Sequence, residues 1–209
     1  MWPFAKGESA RELRTLPLFP LSTVLFPGGV LPLRIFEQRY IEMAKRSLQS
    51  GTPFGVCLIT HGEEVARAGS EPPTFALIGT FARIVDFDLP QTGILEVVTR
   101  GDTRFQVVSH RLEPSGLVLG EATPMAAEPR RTLTEAQRPL ANFLELVATR
   151  LPPRNFPEER DYDDASWVGY RLAEVLPLPL PIKQSMLEIS DADVRLTVLQ
   201  KFLAQQGLL

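Results

Sequence analysis

The pair of residues best suited to covalent chemistry is Cys57 with His61, a thiol and an imidazole four positions apart, since a thiol near an imidazole can become a thiolate nucleophile. Cys57 lies inside the apolar run Gly55-Val56-Cys57-Leu58-Ile59, where a cysteine is ordinarily a small buried hydrophobe, while His61 opens a polar loop. A structural cysteine is the preferred reading. The carboxylates Glu158, Glu159, Asp161, Asp163 and Asp164 are dense enough to attract a cation, but the run lacks the glycine and the distal glutamate of a calcium loop. It reads as a solvated connection leading into a helix start. Arg100 and Arg104 flank Gly101-Asp102, read as a chain reversal, where two guanidinium groups could meet an anion; surface pairing with Asp102 is the plainer reading and is preferred.

Other chemistries find no footing. None of Lys6, Lys45, Lys183 and Lys201 follows a glycine, so a phosphate-cradling Walker loop is missing. No Gly-x-Ser-x-Gly nucleophile elbow occurs, and His61 and His110 stand far apart without a His-Glu-x-x-His pair. A single cysteine rules out an intrachain disulfide and a multi-cysteine zinc site, and fits a reducing compartment. No catalytic residue, metal ligand or cofactor is therefore expected.

The elements that would position any site are short and broken by turns. Proline contributes 19 of 209 residues, against a usual share of about 5%, and it interrupts helix interiors and central strands alike. A long helical bundle is excluded as the whole fold. Hydrophobic residues at 44% and charged ones at 22% describe a globular chain. The net charge of −3 gives no general affinity for nucleic acid or an anionic membrane. Thr15 to Leu33 is uncharged, but Pro17, Pro20, Pro27, Pro32, Gly28 and Gly29 make a membrane-embedded helix there implausible. The first residues hold no apolar run of signal-peptide length, so a soluble cytoplasmic protein is expected.

Residues 1–14 read as a flexible N-terminal arm, despite Trp2 and Phe4. Leu16–Leu21 and Val30–Leu33 read as proline-marked strands about the turn Phe26-Pro27-Gly28-Gly29, where one glycine is expected to take a positive φ. From Phe36 the period becomes helical, with Phe36, Tyr40, Met43, Ala44, Ser47 and Leu48 on one stripe and a stop at Ser50-Gly51. Strands follow at Phe54–Thr60, Phe75–Phe87, Ile94–Arg100, Thr103–His110 and Leu117–Thr123, with reversals at Leu89–Gly93 and Glu113–Gly116. Regularly spaced strands with such turns argue for a barrel or sandwich, flanked or plugged by the helix.

Near Glu128 helix signals take over, and Pro124–Arg131, which has no apolar period, is expected to be the exposed linker. Thr132 and Glu135 have capping-box spacing ahead of a stripe of Leu140, Phe143, Leu144 and Val147, with Pro139 early in that helix. A second helical segment carries Trp167, Tyr170 or Arg171, Leu172 and Val175. Leu176–Pro181 is expected to be non-helical, Ile182–Glu188 to be a short helix, and Ser190 with Asp193 to cap a last helix that turns Val194, Leu196, Leu199, Phe202 and Leu203 inward.

Leu16-Pro17-Leu18-Phe19-Pro20-Leu21, Val24-Leu25-Phe26-Pro27-Gly28 and Leu31-Pro32-Leu33-Arg34-Ile35-Phe36-Glu37-Gln38-Arg39-Tyr40 resemble the N-terminal substrate-binding domain of the ATP-dependent protease Lon, and in particular the small stand-alone bacterial proteins of that family. The likeness runs on through Phe54–Leu58, Ile78-Gly79-Thr80, Arg100–Phe105 and Leu187–Leu196, across residues 15 to 205. It implies an α+β fold: a PUA-like β pseudo-barrel over residues 15–125 followed by a C-terminal helical bundle over 126–209. It also implies recognition of polypeptides rather than their cleavage, because the chain ends where ATPase and protease domains would begin.

The expected function is thus a non-catalytic module that binds unfolded or exposed apolar protein segments, without ATP or metal and without a membrane. The contact surface is expected near the first helix, with Arg34, Arg39 and Tyr40 as binding candidates and Pro27 and Gly28 as the structural motif. For Tyr40 a core position is the preferred reading, and Arg34 or Arg39 also reads as a partner of Glu37. Two rivals stand beside this reading. One is an RNA-binding PUA-like barrel, kept open by eighteen arginines against four lysines but opposed by interleaved acids and the lack of a basic and aromatic run. The other is an enzyme using Cys57.

Overall fold

The computed structural model describes residues 12–65, 71–152 and 156–209. Seven strands and five helices follow one another as β1 (Arg14–Leu21), β2 (Val30–Ile35), α1 (Gln38–Ser50), β3 (Phe54–His61), β4 (Thr74–Phe75), β5 (Ile78–Gln91), β6 (Ile94–Leu112), β7 (Val118–Pro124), α2 (Arg138–Ala148), α3 (Ala165–Val175), α4 (Leu180–Glu188) and α5 (Ala192–Gln205). The fold is α+β, a β pseudo-barrel followed by a helical bundle. Of the expected arm, residues 1–11 lie outside the described residues, and Arg14 already belongs to β1.

Pairing closes the barrel. β1 lies antiparallel to β7 and parallel to β3; β3, β5, β6 and β7 then follow in antiparallel order, so the ring β1-β7-β6-β5-β3 returns to β1. Leu18, Cys57, Phe81, Phe105, Val107 and Val118 fill the interior. β1 pairs with β7 over Arg14–Leu18 and with β3 over Leu18–Leu21, so each half is paired on one side only, a setting that tolerates the missing N–H of Pro17 and Pro20.

β6 is the backbone of the molecule. Its first half, Leu95–Arg100, lies between β2 and β5; its second half pairs with β5 as far as Gln106 and with β7 from Phe105 to Leu112. Gly101-Asp102 is therefore not a reversal; it is the middle of one strand of 19 residues. The Phe26-Pro27-Gly28-Gly29 turn docks there, with Gly28 N–H donating to Gly101 O and Gly101 N–H to Gly29 O, both at 2.8 Å. A Cβ on Gly101 would lie 2.2 Å from Phe26 O, so the close approach of two backbones requires this glycine. Gly28 has φ +73° and Gly29 N–H returns to Phe26 O at 2.9 Å, the geometry of a turn with proline second and glycine third.

Helix α1 closes one end of the barrel with Tyr40, Ile41, Met43, Ala44 and Ser47 buried, and Gly51 ends it with φ +67°. Phe36 departs from the expected stripe: it precedes the helix and is 55% exposed, while Ile41 takes the core position. The apolar run after Phe75 is broken into β4 and β5, and the β5–β6 reversal narrows to Thr92-Gly93, since Gln91 already pairs with Ile94.

The bundle departs from expectation at its helix ends. Thr134, not Thr132, makes the N-terminal turn of α2, its N–H and hydroxyl both donating to Gln137 Oε1 at 3.0 Å, while Thr132 bridges to Asp164. Leu180 and Pro181 are the first residues of α4, where a missing proline N–H costs nothing. Asp191 rather than Ser190 caps α5, and Val194 is 50% exposed because Arg195 takes the inward position. Asp164 caps α3, accepting from the N–H groups of Ser166 and Trp167.

Candidate functional site

Barrel and bundle meet over a buried ionic knot. Glu128, in the connection expected to be loose, has a side chain 4% exposed; it accepts from Arg195 Nη1 at 3.0 Å, Ser166 Oγ at 2.6 Å and Tyr170 Oη at 2.5 Å, with Arg104 Nη2 3.4 Å away. Arg104, buried on β6, also donates to Leu187 O at 2.7 Å and Ile189 O at 3.1 Å. Arg195 donates from Nε to Met186 O and lies 3.8 Å over the Tyr170 ring. Burial alone would raise the Glu128 carboxyl, but hydrogen bonds from Arg195, Ser166 and Tyr170 outweigh it and hold the group below its ordinary value. Every member is paired, which makes the knot a clamp rather than a reactive centre. A cavity of ≈ 350 Å³ opens beside it, walled by Gly28, Arg100, Asp102, Glu128 and Trp167.

A second link lies one turn along α3. Arg171 is fully buried and donates from Nη2 to Pro27 O at 2.9 Å and to Glu174 Oε1 at 2.7 Å. Its Nη1 would stand 3.2 Å from a Cβ on Gly28. The sequence motif at Pro27-Gly28 is thus the socket of a helix arginine.

The residues singled out in the sequence are distributed widely. Cys57 is 1% exposed inside the barrel and burial pushes its thiol up, which disfavours the thiolate, while His61 lies in the exposed end of the same strand. In the acidic run, Asp161 holds Arg130 through two bonds of 3.0 Å, Asp163 holds Arg138 at 2.6 Å, and Asp164 is the α3 cap. Among the described residues no three His, Cys, Asp or Glu side chains gather to hold a metal. Asp102 pairs with Arg83 at 3.2 Å and Arg100 with Glu159 at 2.7 Å, which replaces the expected local pairing of Asp102 with Arg100 and Arg104.

Arg34, Arg39 and Tyr40 are not brought together. Tyr40 is 3% exposed and stacked on Phe19 at 3.9 Å; burial, partly offset by Arg39, raises its hydroxyl to about 12. Arg39 lies 4.4 Å over the Tyr40 ring, pairs with Glu37 at 2.9 Å and donates to Gly116 O at 2.7 Å; it walls a cleft of ≈ 450 Å³ with His61, Glu71 and Leu112. Arg34 is exposed, 3.9 Å from Glu96, in a separate groove of ≈ 500 Å³. That groove runs over the sheet formed by β2, the first half of β6 and the end of β5, between Arg34, Asp86, Asp88 and Glu96, with Pro32 and Val98 among its apolar lining. Beside it Val85, Phe87 and Leu89 are all more than half exposed. This rim was missed in the sequence, although the alternation Val85-Asp86-Phe87-Asp88-Leu89 carries its signal.

A closed β pseudo-barrel clamped to a helical bundle, with grooves on its strands, places the protein in the α+β class. Residues 15–205 match the family model of the ATP-dependent protease La (LON) substrate-binding domain. The chain is similar to the Lon N-terminal domain protein from Xanthomonas campestris, 36% identical with a TM-score of 0.74 over 90% of this chain and 98% of that one. It shares its fold with the N-terminal domain of Mycobacterium avium complex Lon protease, at 22% identity and a TM-score of 0.59 over 91% of this chain and 98% of that one. Among full Lon proteases, those of Phenylobacterium zucineum and Koribacter versatilis are 26% and 27% identical over 95% and 98% of this chain, which spans about a quarter of their length, 26% and 25% respectively. The chain belongs to the Lon substrate-binding domain family.

Proposed function

We propose that this chain recognises unfolded or exposed apolar polypeptide segments and performs no chemistry on them, using neither nucleotide nor metal. The observation that carries the reading is the end of β5, where Val85, Phe87 and Leu89 are each more than half exposed, with Phe87 on the sheet face opposite the groove of ≈ 500 Å³. Family membership supports it, because the family is that of the Lon substrate-binding domain and the curated relatives are Lon proteases. Within the same proposal the protein works in the cytoplasm, where Cys57, its single cysteine, stays reduced. Binding is expected in the micromolar range or weaker, since the partner must be ordered as it binds. The test is a titration of an unfolded protein against its folded form, at low and high salt and without nucleotide. Selective capture of the unfolded form that persists at high salt supports the reading. Equal binding of both forms, or a preference for RNA that vanishes with salt, overturns it.

A further inference from the structure

Beyond Ala82, the last β5 residue paired with β3, strand β5 has β6 on one side and no described strand on the other. The N–H groups of Phe87 and Leu89 donate to the carboxylates of Asp86 and Asp88, the residues just before them, at 2.9 and 2.8 Å. Along an antiparallel strand the backbone groups of successive residues point alternately toward and away from the paired neighbour. Phe87, paired with Val97 in the ladder, therefore presents its backbone N–H and C=O to the open edge, and Leu89, at the irregularity between Asp88 and Gln91, directs its N–H to Asp88 rather than to β6.

The two faces of this edge differ in chemistry. Residues opposite one another across strands share a face, so Asp88, Glu96 and Arg34 stand in one row and Asp86, Val98 and Pro32 in the next, both on the groove side. Phe87, Val97 and Leu33 form the row on the other side, where Val97 is 2% exposed and belongs to the core. Phe87 and Leu89 carry that apolar face past the limit of the core, at 55% and 66% exposure. An added strand would meet apolar surface with every second side chain and carboxylates with those between.

We propose that the open edge of β5 from Val85 to Leu89 takes up an extended polypeptide as an additional strand, selecting segments in which apolar residues alternate with Lys or Arg. This rests on the polypeptide-binding reading and names its substrate class. On binding, the peptide carbonyls replace the Asp86 and Asp88 carboxylates at the two edge N–H groups, and the carboxylates turn to the basic side chains. A second copy of this chain is the poorer occupant, because two β5 edges laid together would bring Asp86 and Asp88 of each copy close to those of the other, and like charges across a strand pair repel. The same charges draw a basic strand.

The test is fluorescence anisotropy of the full chain with a labelled peptide of about nine residues, long enough to span the edge, alternating lysine with valine and phenylalanine. Two comparison peptides carry glutamate for lysine, or N-methyl groups on alternate backbone amides. Phe87→Pro removes one edge donor without touching the β6 ladder, Phe87→Ala removes the ring alone, and Asp86→Lys with Asp88→Lys inverts the charge. The lysine peptide is expected to bind at least about tenfold more tightly than either comparison peptide. Phe87→Pro should lose more affinity than Phe87→Ala at an unchanged melting midpoint, and the double lysine variant should prefer the glutamate peptide. The N-methylated peptide keeps the test decisive if Phe87→Pro fails to fold. Equal binding of all three peptides overturns the proposal even if unfolded protein is captured, and a dimer in sedimentation that Phe87→Ala dissolves assigns the edge to a second copy and overturns it too. Loss of unfolded-protein capture by the wild-type chain overturns the parent reading instead.

Discussion

At the scale of single residues, Glu128 matters more to this molecule than any side chain its sequence advertises. Its carboxylate faces two buried arginines, so Glu128→Gln should destabilise the protein by about 3 to 5 kcal/mol, the usual consequence of leaving a buried charge uncompensated. Its lowered pKa sets the pH dependence: the stabilisation is complete above the ordinary carboxyl value and is lost as pH falls through the depressed value of the folded state. Chemical denaturation across the acid range should show that limb, and Glu128→Gln should flatten it. Gly28→Val should cost more than about 1 kcal/mol, because φ +73° is strained for a branched residue and its side chain would press on Arg171; an unchanged melting midpoint would refute the socket. Cys57 should react slowly with thiol reagents in the native protein, and Cys57→Ala should cost about 1 to 2 kcal/mol. Rapid native labelling would reopen the enzyme rival.

At the scale of elements, helix ends and strand breaks are where local signals competed with tertiary ones. Thr132 and Glu135 have the spacing of a capping box, but the bridge from Thr132 to Asp164 takes the first of them into the linker, and Thr134 with Gln137 serves the helix instead. Asp164 is both that bridge partner and the cap of α3. Asp164→Ala should therefore destabilise by about 1 kcal/mol or somewhat more, measurable as a shift in the urea midpoint with an unchanged slope. Gly101-Asp102 shows the opposite error: two residues of turn-forming type lie in the middle of a strand because a second backbone, that of Pro27 to Gly29, has to pass against it.

At the scale of the whole molecule, the clamp around Glu128 and the Arg171 socket tie barrel to bundle. Arg104 from β6, Ser166 and Tyr170 from α3 and Arg195 from α5 all converge on one carboxylate in the intervening connection. The two parts should unfold in a single calorimetric transition with matching van't Hoff and calorimetric enthalpies, and Glu128→Gln should separate it into two. The connection that reads as a loose linker is held shut by this carboxylate, so limited proteolysis should spare residues 125–131. Early cutting there would mean that the clamp opens in solution.

The sequence by itself determined the barrel-then-bundle plan and the family, because hydrophobic period, proline and glycine are local and the motif from Leu16 to Tyr40 is contiguous. It also marked the turn at Pro27-Gly28 and the structural character of Cys57. Tertiary structure alone decided that Arg104, Arg171 and Arg195 would be buried, since an arginine reads as surface until a carboxylate and several carbonyls from distant elements converge on it. It decided too that Arg34, Arg39 and Tyr40, near neighbours in sequence, would part into a groove, a cleft and a core. Above all it left β5 beyond Ala82 with an edge that no other described strand pairs, because whether a strand has a neighbour depends on where every other strand has gone.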